Sequence, residues 1–496
     1  MAKIIQTSKI KPTDVNAVER EWIYNGLDAA VTHEVHGVLQ TQLDNHTAGT
    51  YTFSKDLQGP VLEMRLRGVL VDKERRAMVL DEYISILDGL ETQLERIVRE
   101  GVGMIGFNWR SNDQLKELFY DRLGIPPMRK QGRVTVDRGA LERMEGYLIA
   151  RPIIAHLEAM RDIGKKIGVL NTDIDKDGRI RSSYNIGGTN TGRLSSSLSE
   201  FGTGGNLQNI EDLLRSVLIA DPGMKMGYFD AEQGESRVVG AIEFSLFDDP
   251  RYLDACESGD LHTTVARLVW PNLPWTGNLQ HDKELAEQPY YRHYSRRFMC
   301  KKIGHGTNYN GTPQTLATQA KVDVDLIEEF QPIYFTNFGH KEWHAYVERE
   351  LRTTGTLVSL MARKRQFWGR RDDPATLREA IAYDPQGSLA DIVNRGGLQL
   401  WWANICQFLM QVHDAWVVQY PEEQEDELIP KILALLRYPV HLRGGERSLI
   451  IPYGVKTGWN FGEFNGKTNP FGLKSYKGND KRRRPAPTSI VDRVFR

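Results

Sequence analysis

Apolar residues recur at three- and four-residue steps in several parts of the chain. The clearest run is Leu80, Ile84, Leu87, Leu90, Leu94, Ile97 and Val98, the spacing of a helix with one buried stripe. A turn around Gly68 to Asp72 precedes it, and Gly101 and Gly103 end it. This predicts a packed, structural helical arm. Trp22 to Thr32 also has helical spacing. Between Asp177 and Asn209 the pattern dissolves into Gly, Ser, Thr and Asn, which predicts loops and hairpins. A buried strand is expected over Met226 to Asp230, then a helix over Ser236 to Phe247. Tyr290 to Tyr309 reads as one helix, stopped by Asn310-Gly311-Thr312-Pro313. Arg352 to Arg371 is turn-rich and basic. Phe408 to His413 and Trp416 to Tyr420 read as strands across a short turn. From Lys467 the chain is basic and loop-rich, with Pro485 and Pro487, so disorder or docking on a partner is expected there. No internal repeat is found.

Composition narrows the class. A length of 496 residues suggests about three domains. Three cysteines, Cys256, Cys300 and Cys406, without metal-ligand spacing exclude a disulfide scaffold and a Cys-based zinc site. They favour a reducing, cytoplasmic compartment. No run of about 18 apolar residues is present, so no membrane span is expected. Met1 to Pro12 is polar and basic, unlike a secretory signal, so the Asn45-His46-Thr47 sequon is expected to be inert. Lys+Arg total 64 and Asp+Glu 65, and this near-neutrality conceals poles. Residues 286–320 hold five Lys/Arg and one acidic residue; 352–371 hold six and none; 464–496 hold nine and two. A nucleic acid responds to such patches and not to the total.

Two apolar runs end on an aspartate: Met226-Gly227-Tyr228-Phe229 meets Asp230, and Leu409-Met410-Gln411-Val412-His413 meets Asp414. A carboxylate there costs desolvation unless compensated. Brought together, the two could share divalent ions, since Mg²⁺ takes a few carboxylates plus substrate phosphates. The bland alternative makes each a turn residue or cap. Arg297, Lys301, His305 and Tyr309 are spaced by four. Four helical residues turn about 400°, so these form one gently drifting ridge. Arg and Lys one turn apart can grip a triphosphate; His and Tyr can pack on a sugar and base. The alternative is a solvated basic face. Gly304 and Gly306 suggest close approach of a neighbour or a bending point, because each costs roughly 1 kcal/mol in a helix interior.

These residues resemble the signatures of family A DNA polymerases, the group of bacterial polymerase I and many phage replicases. Asp230-Ala231-Glu232-Gln233-Gly234-Glu235-Ser236-Arg237 resembles D-Y-S-Q-I-E-L-R. The Arg297 ridge with Gly306 resembles R-x3-K-x3-F/Y-G-x2-Y-G. Gln411-Val412-His413-Asp414 resembles Q-V-H-D-E. Further matches follow in family order: Asn108 to Phe119, Thr191-Gly192-Arg193-Leu194-Ser195-Ser196, Asn206 to Ile210, Asp260-Leu261-His262, and Arg378-x7-Gln386-Gly387-Ser388-x2-Asp391. The resemblance runs from about Pro60 to Trp459.

The resemblance implies an α+β right-hand fold whose antiparallel palm sheet carries the catalytic aspartates. The thumb would be 55–180, the palm 181–250 and 356–463, and the fingers 251–355. Residues 1–54 would be an exonuclease remnant or docking region, and 464–496 a basic tail. Asp230 and Asp414 would hold two Mg²⁺, with Mn²⁺ as a substitute, while a primer 3′-oxygen attacks a dNTP. Arg297 and Lys301 would hold the phosphates, and Lys301 would protonate the leaving pyrophosphate. Glu235 would exclude ribonucleotides sterically, Tyr309 would pack near the nascent pair, and His305 and Gln233 would border the nucleotide. Arg193, Arg378, Gln386 and His413 would contact primer-template DNA, reading pair shape from the minor groove.

The chain also departs from the family. Ala415 stands where the third signature has Glu, and Glu232 is the candidate substitute. His305 replaces Phe or Tyr, Asn310 a Gly, Ala382 an Asn and Glu211 a Pro, and a Gly/Ser-rich insertion separates Ser196 from Asn206. These suggest a divergent phage or environmental branch working in a host cytoplasm. Tyr24-x3-Asp28 resembles only the late motif of the family's proofreading domain, so intrinsic proofreading is not expected. A separately encoded exonuclease, clamp or helicase could dock on residues 1–50 or on the tail around Lys481 to Phe495. Two other readings stay open: a single-subunit RNA polymerase, whose third motif also lacks that Glu, and a DNA-binding factor that keeps the fold.

Overall fold

The computed structural model describes residues 16–478 apart from 201 and 211. The chain divides into two compact units. One comprises residues up to 58, 235–392 and 441–449; the other comprises 59–234, 393–440 and the segment from 450. The Lys481–Phe495 docking segment lies outside the described residues, as do Met1–Pro12 and Glu211.

The expected N-terminal helix forms over Ala17–Gln40 (α1), capped by Asn16 and Glu19 bonding reciprocally. None of its residues is buried, so its helical spacing does not correspond to a packed stripe. The arm helix runs over Lys73–Val102 (α2). Asp72 caps its start by accepting from the Arg75 amide, and Gly103, at φ 73°, ends it. Helix α3 covers Arg151–Leu170. Leu87, Leu94 and Val98 of α2 pack with Ile153, Ile154, Leu157 and Met160 of α3 in one core, whereas Ile84 stays exposed. All of this lies in the unit that begins at residue 59. Residues 177–209 form short two-residue and three-residue strands, Ser183–Asn185 pairing with Ser195–Ser197.

Strand β1 covers Met224–Ala231, and helix α4 follows over Gly234–Phe247. Gln233 makes the corner at φ 53°. Helix α5 spans Leu261–Val269. The expected single helix over 290–309 is corrected. Pro289–Tyr291 and Tyr294–Ser295 form an antiparallel hairpin turning at Arg292 (φ 53°), and helix α6 begins only at Arg296 and ends at Asn308. Ser295 starts it by accepting from the Phe298 amide, a local bond that competes with continued helix upstream. Helix α7 is His340–Thr353. The basic stretch after it contains a hairpin, Thr356–Val358 with Lys364–Gln366.

Helix α8 is Pro374–Ala403, with Pro385 inside it. Arg363 reaches it through a two-point ion pair with Asp391, at 3.1 and 2.6 Å. Asp384 accepts from the Leu360 amide at 2.8 Å and from Ser388 at 2.7 Å. Burial outweighs these bonds and raises its carboxyl to about 6. The folded chain therefore binds this proton more tightly than the unfolded chain. Its contribution to stability is fully present below about pH 4 and is lost as pH rises from there through about 6. Asp384→Asn is expected to remove that decline, worth about 1–2 kcal/mol for a partly accessible group. Unfolding midpoints of the two proteins across pH 4–7 check this, and parallel curves would refute it.

The central sheet has five antiparallel strands. To β1 it adds β2 (Gln407–Val412), β3 (Ala415–Pro421), β4 (Tyr453–Gly458) and β5 (Lys474–Ser475), in the order β2-β3-β1-β4-β5. Every residue of β3 except Pro421 is buried, the polar Gln419 included. Trp416 fills the space against α8, its indole N–H donating to the Val393 carbonyl at 3.0 Å.

Candidate active site

Sheet register brings the two aspartates to one end of the sheet. Asp230 is the penultimate residue of β1, and Ala415 of β3 lies directly opposite it. The β2–β3 hairpin closes through Val412 and Ala415, with His413 at φ 54° and Asp414 in the turn. The Ala231 amide donates to the Asp414 carbonyl at 3.3 Å. Desolvation holds the Asp230 carboxyl above the usual range. The Tyr228 hydroxyl, donating at 3.3 Å, and the charge of Lys456 oppose this, while Glu232 reinforces it. Arg193 lies 3.5 Å from Asp414, so this expected DNA contact faces a carboxylate. Gln233 stands at the strand-to-helix corner with its side-chain oxygen buried and unbonded. His413 is exposed.

Among the described residues, no group of three His, Cys, Asp or Glu side chains is gathered to hold a metal. The donor set is two aspartates, with Glu232 nearby. Hard oxygen donors that leave positions for phosphate oxygens suit Mg²⁺ better than a closed cage, so these residues fit that ion. The Glu232 amide bonds the Pro452 carbonyl at 2.8 Å, and its carboxylate approaches Gly454 so closely that a Cβ there would lie 2.9 Å from it.

The basic ridge belongs to the other unit and lies as its spacing predicts. Lys301 and His305 are exposed and Arg297 and Tyr309 half-buried, while Met299, Cys300, Ile303, Thr307 and Asn308 face the core. The close approach expected at Gly306 comes from inside: a Cβ there would lie 2.2 Å from Leu316. Arg297 makes two bonds to buried Asp260, at 2.7 and 3.2 Å. Those bonds raise the guanidinium further, and with Thr263 they overcome burial to hold Asp260 below the usual range. The Tyr309 hydroxyl donates to Glu235 at 2.5 Å, and the His305 ring lies 4.0 Å from the same carboxylate.

His262 was not among the expected site residues. Burial lowers its imidazole to about 4, and Asp260, Arg297, Lys301 and His305 all act on it. The Asp260-Leu261-His262 segment was the available signal. Behind the ridge, Asn308 bonds Tyr252 and Tyr334 at 2.9 Å and His340 at 2.8 Å. His340 in turn pairs with Glu243, and both are fully buried. Arg378, exposed, and Gln386, half-buried, lie on the part of α8 in this unit. Tyr24 and Asp28 are exposed on α1. In the arm, α2 and α3 border a cleft of about 730 Å³. Arg161 and Lys165, one helical turn apart, line it with Trp109 and Arg138.

The family model for DNA polymerase family A matches residues 79–462. The chain belongs to DNA polymerase family A. It is similar to the thermostable DNA polymerase I of Thermus filiformis, 28% identical over 400 residues, covering 74% of this chain and 44% of that protein. Similarity to DNA polymerase I of Chloroflexus aurantiacus is 27% over 471 residues, covering 88% and 46%. This family A chain thus spans about half the length of the curated relatives it matches. Its fold is similar to that of the POL domain of Pol1 from M. smegmatis, solved in complex with DNA primer-template and dNTP. The TM-score is 0.65 at 23% identity, covering 82% of this chain and 69% of that one. No helix among the described residues is long and apolar enough to cross a membrane.

Proposed function

We propose that the chain extends a DNA primer on a template by adding deoxynucleotides from dNTPs. The observation that carries this reading is the sheet register that puts Asp230 and Asp414 at one strand end, in a chain of this family. The similar fold solved with primer-template and dNTP supports it. In this reading the sheet is the palm (181–250 and 356–463), residues 251–355 the fingers and 55–180 the thumb. Two Mg²⁺, when bound, would polarise phosphate and primer oxygens. Asp230 and Asp414 would hold them. Arg297, oriented by Asp260, and Lys301 would bind the triphosphate with His262, and Lys301 would deliver a proton to the departing pyrophosphate. Tyr309 and His305 would border the base and sugar. Arg193, Gln233, Arg378, Gln386 and His413 would meet the primer-template. Arg161 and Lys165 would grip duplex phosphates along the arm.

Primer extension on a primed template tests the reading. Extension is expected with dNTPs and Mg²⁺ or Mn²⁺, and none with chelator. Extension only with rNTPs would favour the RNA polymerase alternative. Glu235, held by Tyr309, would stand where a 2′-hydroxyl projects. Glu235→Ala is expected to raise ribonucleotide incorporation about ten- to a hundredfold relative to dNTPs, the scale of a steric sieve. An unchanged ratio would remove Glu235 from that role.

We propose extension without proofreading by this chain, in a phage setting and host cytoplasm with a separately encoded exonuclease, clamp or helicase. This rests on the sequence departures. A mismatched primer is expected to stay intact when incubated with the pure chain; 3′-end degradation abolished by Asp28→Ala would overturn it.

A further inference from the structure

Asn308 closes α6 and is 2% exposed. A buried amide costs stability unless its polar atoms are bonded, and here both ends of the side chain are. Its Nδ2 donates to the Tyr252 hydroxyl at 2.9 Å. Its Oδ1 accepts from Tyr334 at 2.9 Å and from the His340 ring at 2.8 Å. The two tyrosine hydroxyls also bond each other at 2.9 Å. The Asn308 backbone carbonyl accepts from Nε2 of His344 at 2.8 Å, and burial lowers that imidazole to about 4 and keeps it neutral. Gln331 holds the same turn, donating to Thr307 at 3.3 Å and to the Gly311 carbonyl at 2.9 Å. The network then returns to α4. His340 pairs through its other ring nitrogen with Glu243, which lies on α4 about two turns beyond Glu235. Tyr309, next to Asn308, donates to Glu235 at 2.5 Å. The contacts therefore close a circuit: Glu235, Tyr309, Asn308, His340, Glu243 and back along α4.

We infer that Asn308 is a positioning residue for the nucleotide sugar: held by His340, Tyr252 and Tyr334, it fixes the end of α6 so that Tyr309 keeps the Glu235 carboxylate in place. The inference rests on the proposed role of Glu235 against a 2′-hydroxyl. A steric sieve discriminates only as well as its blocking group is held, since a small sideways shift opens the space that the extra hydroxyl needs. The Tyr309 bond alone would let Glu235 follow any movement of the α6 end. The circuit through Asn308 and Glu243 ties that end to the same helix that carries Glu235. Arg297, at the other end of α6, is held separately by Asp260, so Asn308 bears on sugar choice and not on phosphate binding.

The test measures single-nucleotide incorporation by the full chain with dNTP and with rNTP, alongside melting temperature. It compares the unsubstituted protein, Asn308→Leu, Glu235→Ala and the double variant. Asn308→Leu is expected to lower the preference for dNTP over rNTP about tenfold. In the double variant the preference is expected to equal that of Glu235→Ala alone, because both substitutions act through one carboxylate. A purely structural asparagine would lower the melting temperature and leave the preference unchanged, and that result overturns the inference. Additive losses in the double variant also overturn it, since Asn308 would then act apart from Glu235. If Glu235→Ala leaves the preference unchanged, the sieve reading fails and this inference with it. If Glu235→Ala lowers it and Asn308→Leu does not, this inference alone fails. Should Asn308→Leu not fold, Tyr334→Phe removes one bond to Oδ1 and keeps the ring. About a threefold lower preference is then expected, the scale of one hydrogen bond, and none in the Glu235→Ala background; an unchanged preference overturns the inference.

Discussion

Asp414→Ala is expected to reduce primer extension at least about a thousandfold, roughly 4 kcal/mol of transition-state stabilisation, with Asp230→Ala equal to it. The two residues are nearly two hundred positions apart and reach one end of the sheet only because β3 pairs with β1 through Ala415 and Asp230. In the proposed reaction, negative charge grows on the attacked phosphate, and ions held by these carboxylates would offset it. Losing either one removes ligands and leaves the other in a site already unfavourable to ionisation, as the raised Asp230 carboxyl indicates. For Asp414 there is a second consequence. Arg193, 3.5 Å away, loses a neighbouring negative charge, which leaves the sheet end more positive toward phosphate. Duplex binding is thus expected to persist or tighten while extension is lost. Steady-state extension and a filter or anisotropy assay read the two effects separately. Extension left intact in Asp414→Ala would end the metal assignment, and equal loss of binding would point to a folding defect.

Glu425→Ala is expected to destabilise the sheet-bearing unit by about 3–5 kcal/mol. Lys225, in the second position of β1, is 2% exposed and pairs at 2.7 Å with Glu425, itself 6% exposed. The Tyr420 hydroxyl donates to the same carboxylate at 3.2 Å, and the Trp459 ring lies 4.5 Å from the ammonium. The pair is closely compensated, so its net worth is small while both members are present. Removing Glu425 takes away the carboxylate 2.7 Å from a buried ammonium, and that lost compensation carries the cost. Lys225→Met together with Glu425→Leu is expected to recover most of the loss, since no unpaired charge remains. Denaturant unfolding of the three variants measures this. A single-substitution cost under about 1 kcal/mol would mean that water reaches the ammonium, and the buried-charge argument would fall.

The proposed site was unevenly legible in the sequence. Asp230 and Asp414 stood out because each terminates a strand-length apolar run. The ridge from Arg297 to Tyr309 stood out because spacing by four maps onto one helix side. Local pattern sufficed for both. The start of α6 was misread because the Tyr290–Ser295 hairpin is built from residues that also suit a helix, and only the Ser295 cap and the left-handed Arg292 separate them. Gly306 suggested a close neighbour, but nothing local named Leu316. α1 shows the reverse: its apolar residues have helical spacing, yet Trp22 is 70% exposed. His262 carried a motif but no visible role until burial and the Arg297–Asp260 pair surrounded it.

What the sequence determined by itself is the family, the strands and helices that carry the candidate residues, and the sidedness of the ridge. Each follows from periodicity and motif order, which are local or one-dimensional. The tertiary structure alone decided that Asp230 and Asp414 share one end of the sheet, that Asp260 holds Arg297, and that Lys225 is buried on Glu425. Those facts depend on strand register and on which side chains share a buried space. No periodicity within a single element encodes either one.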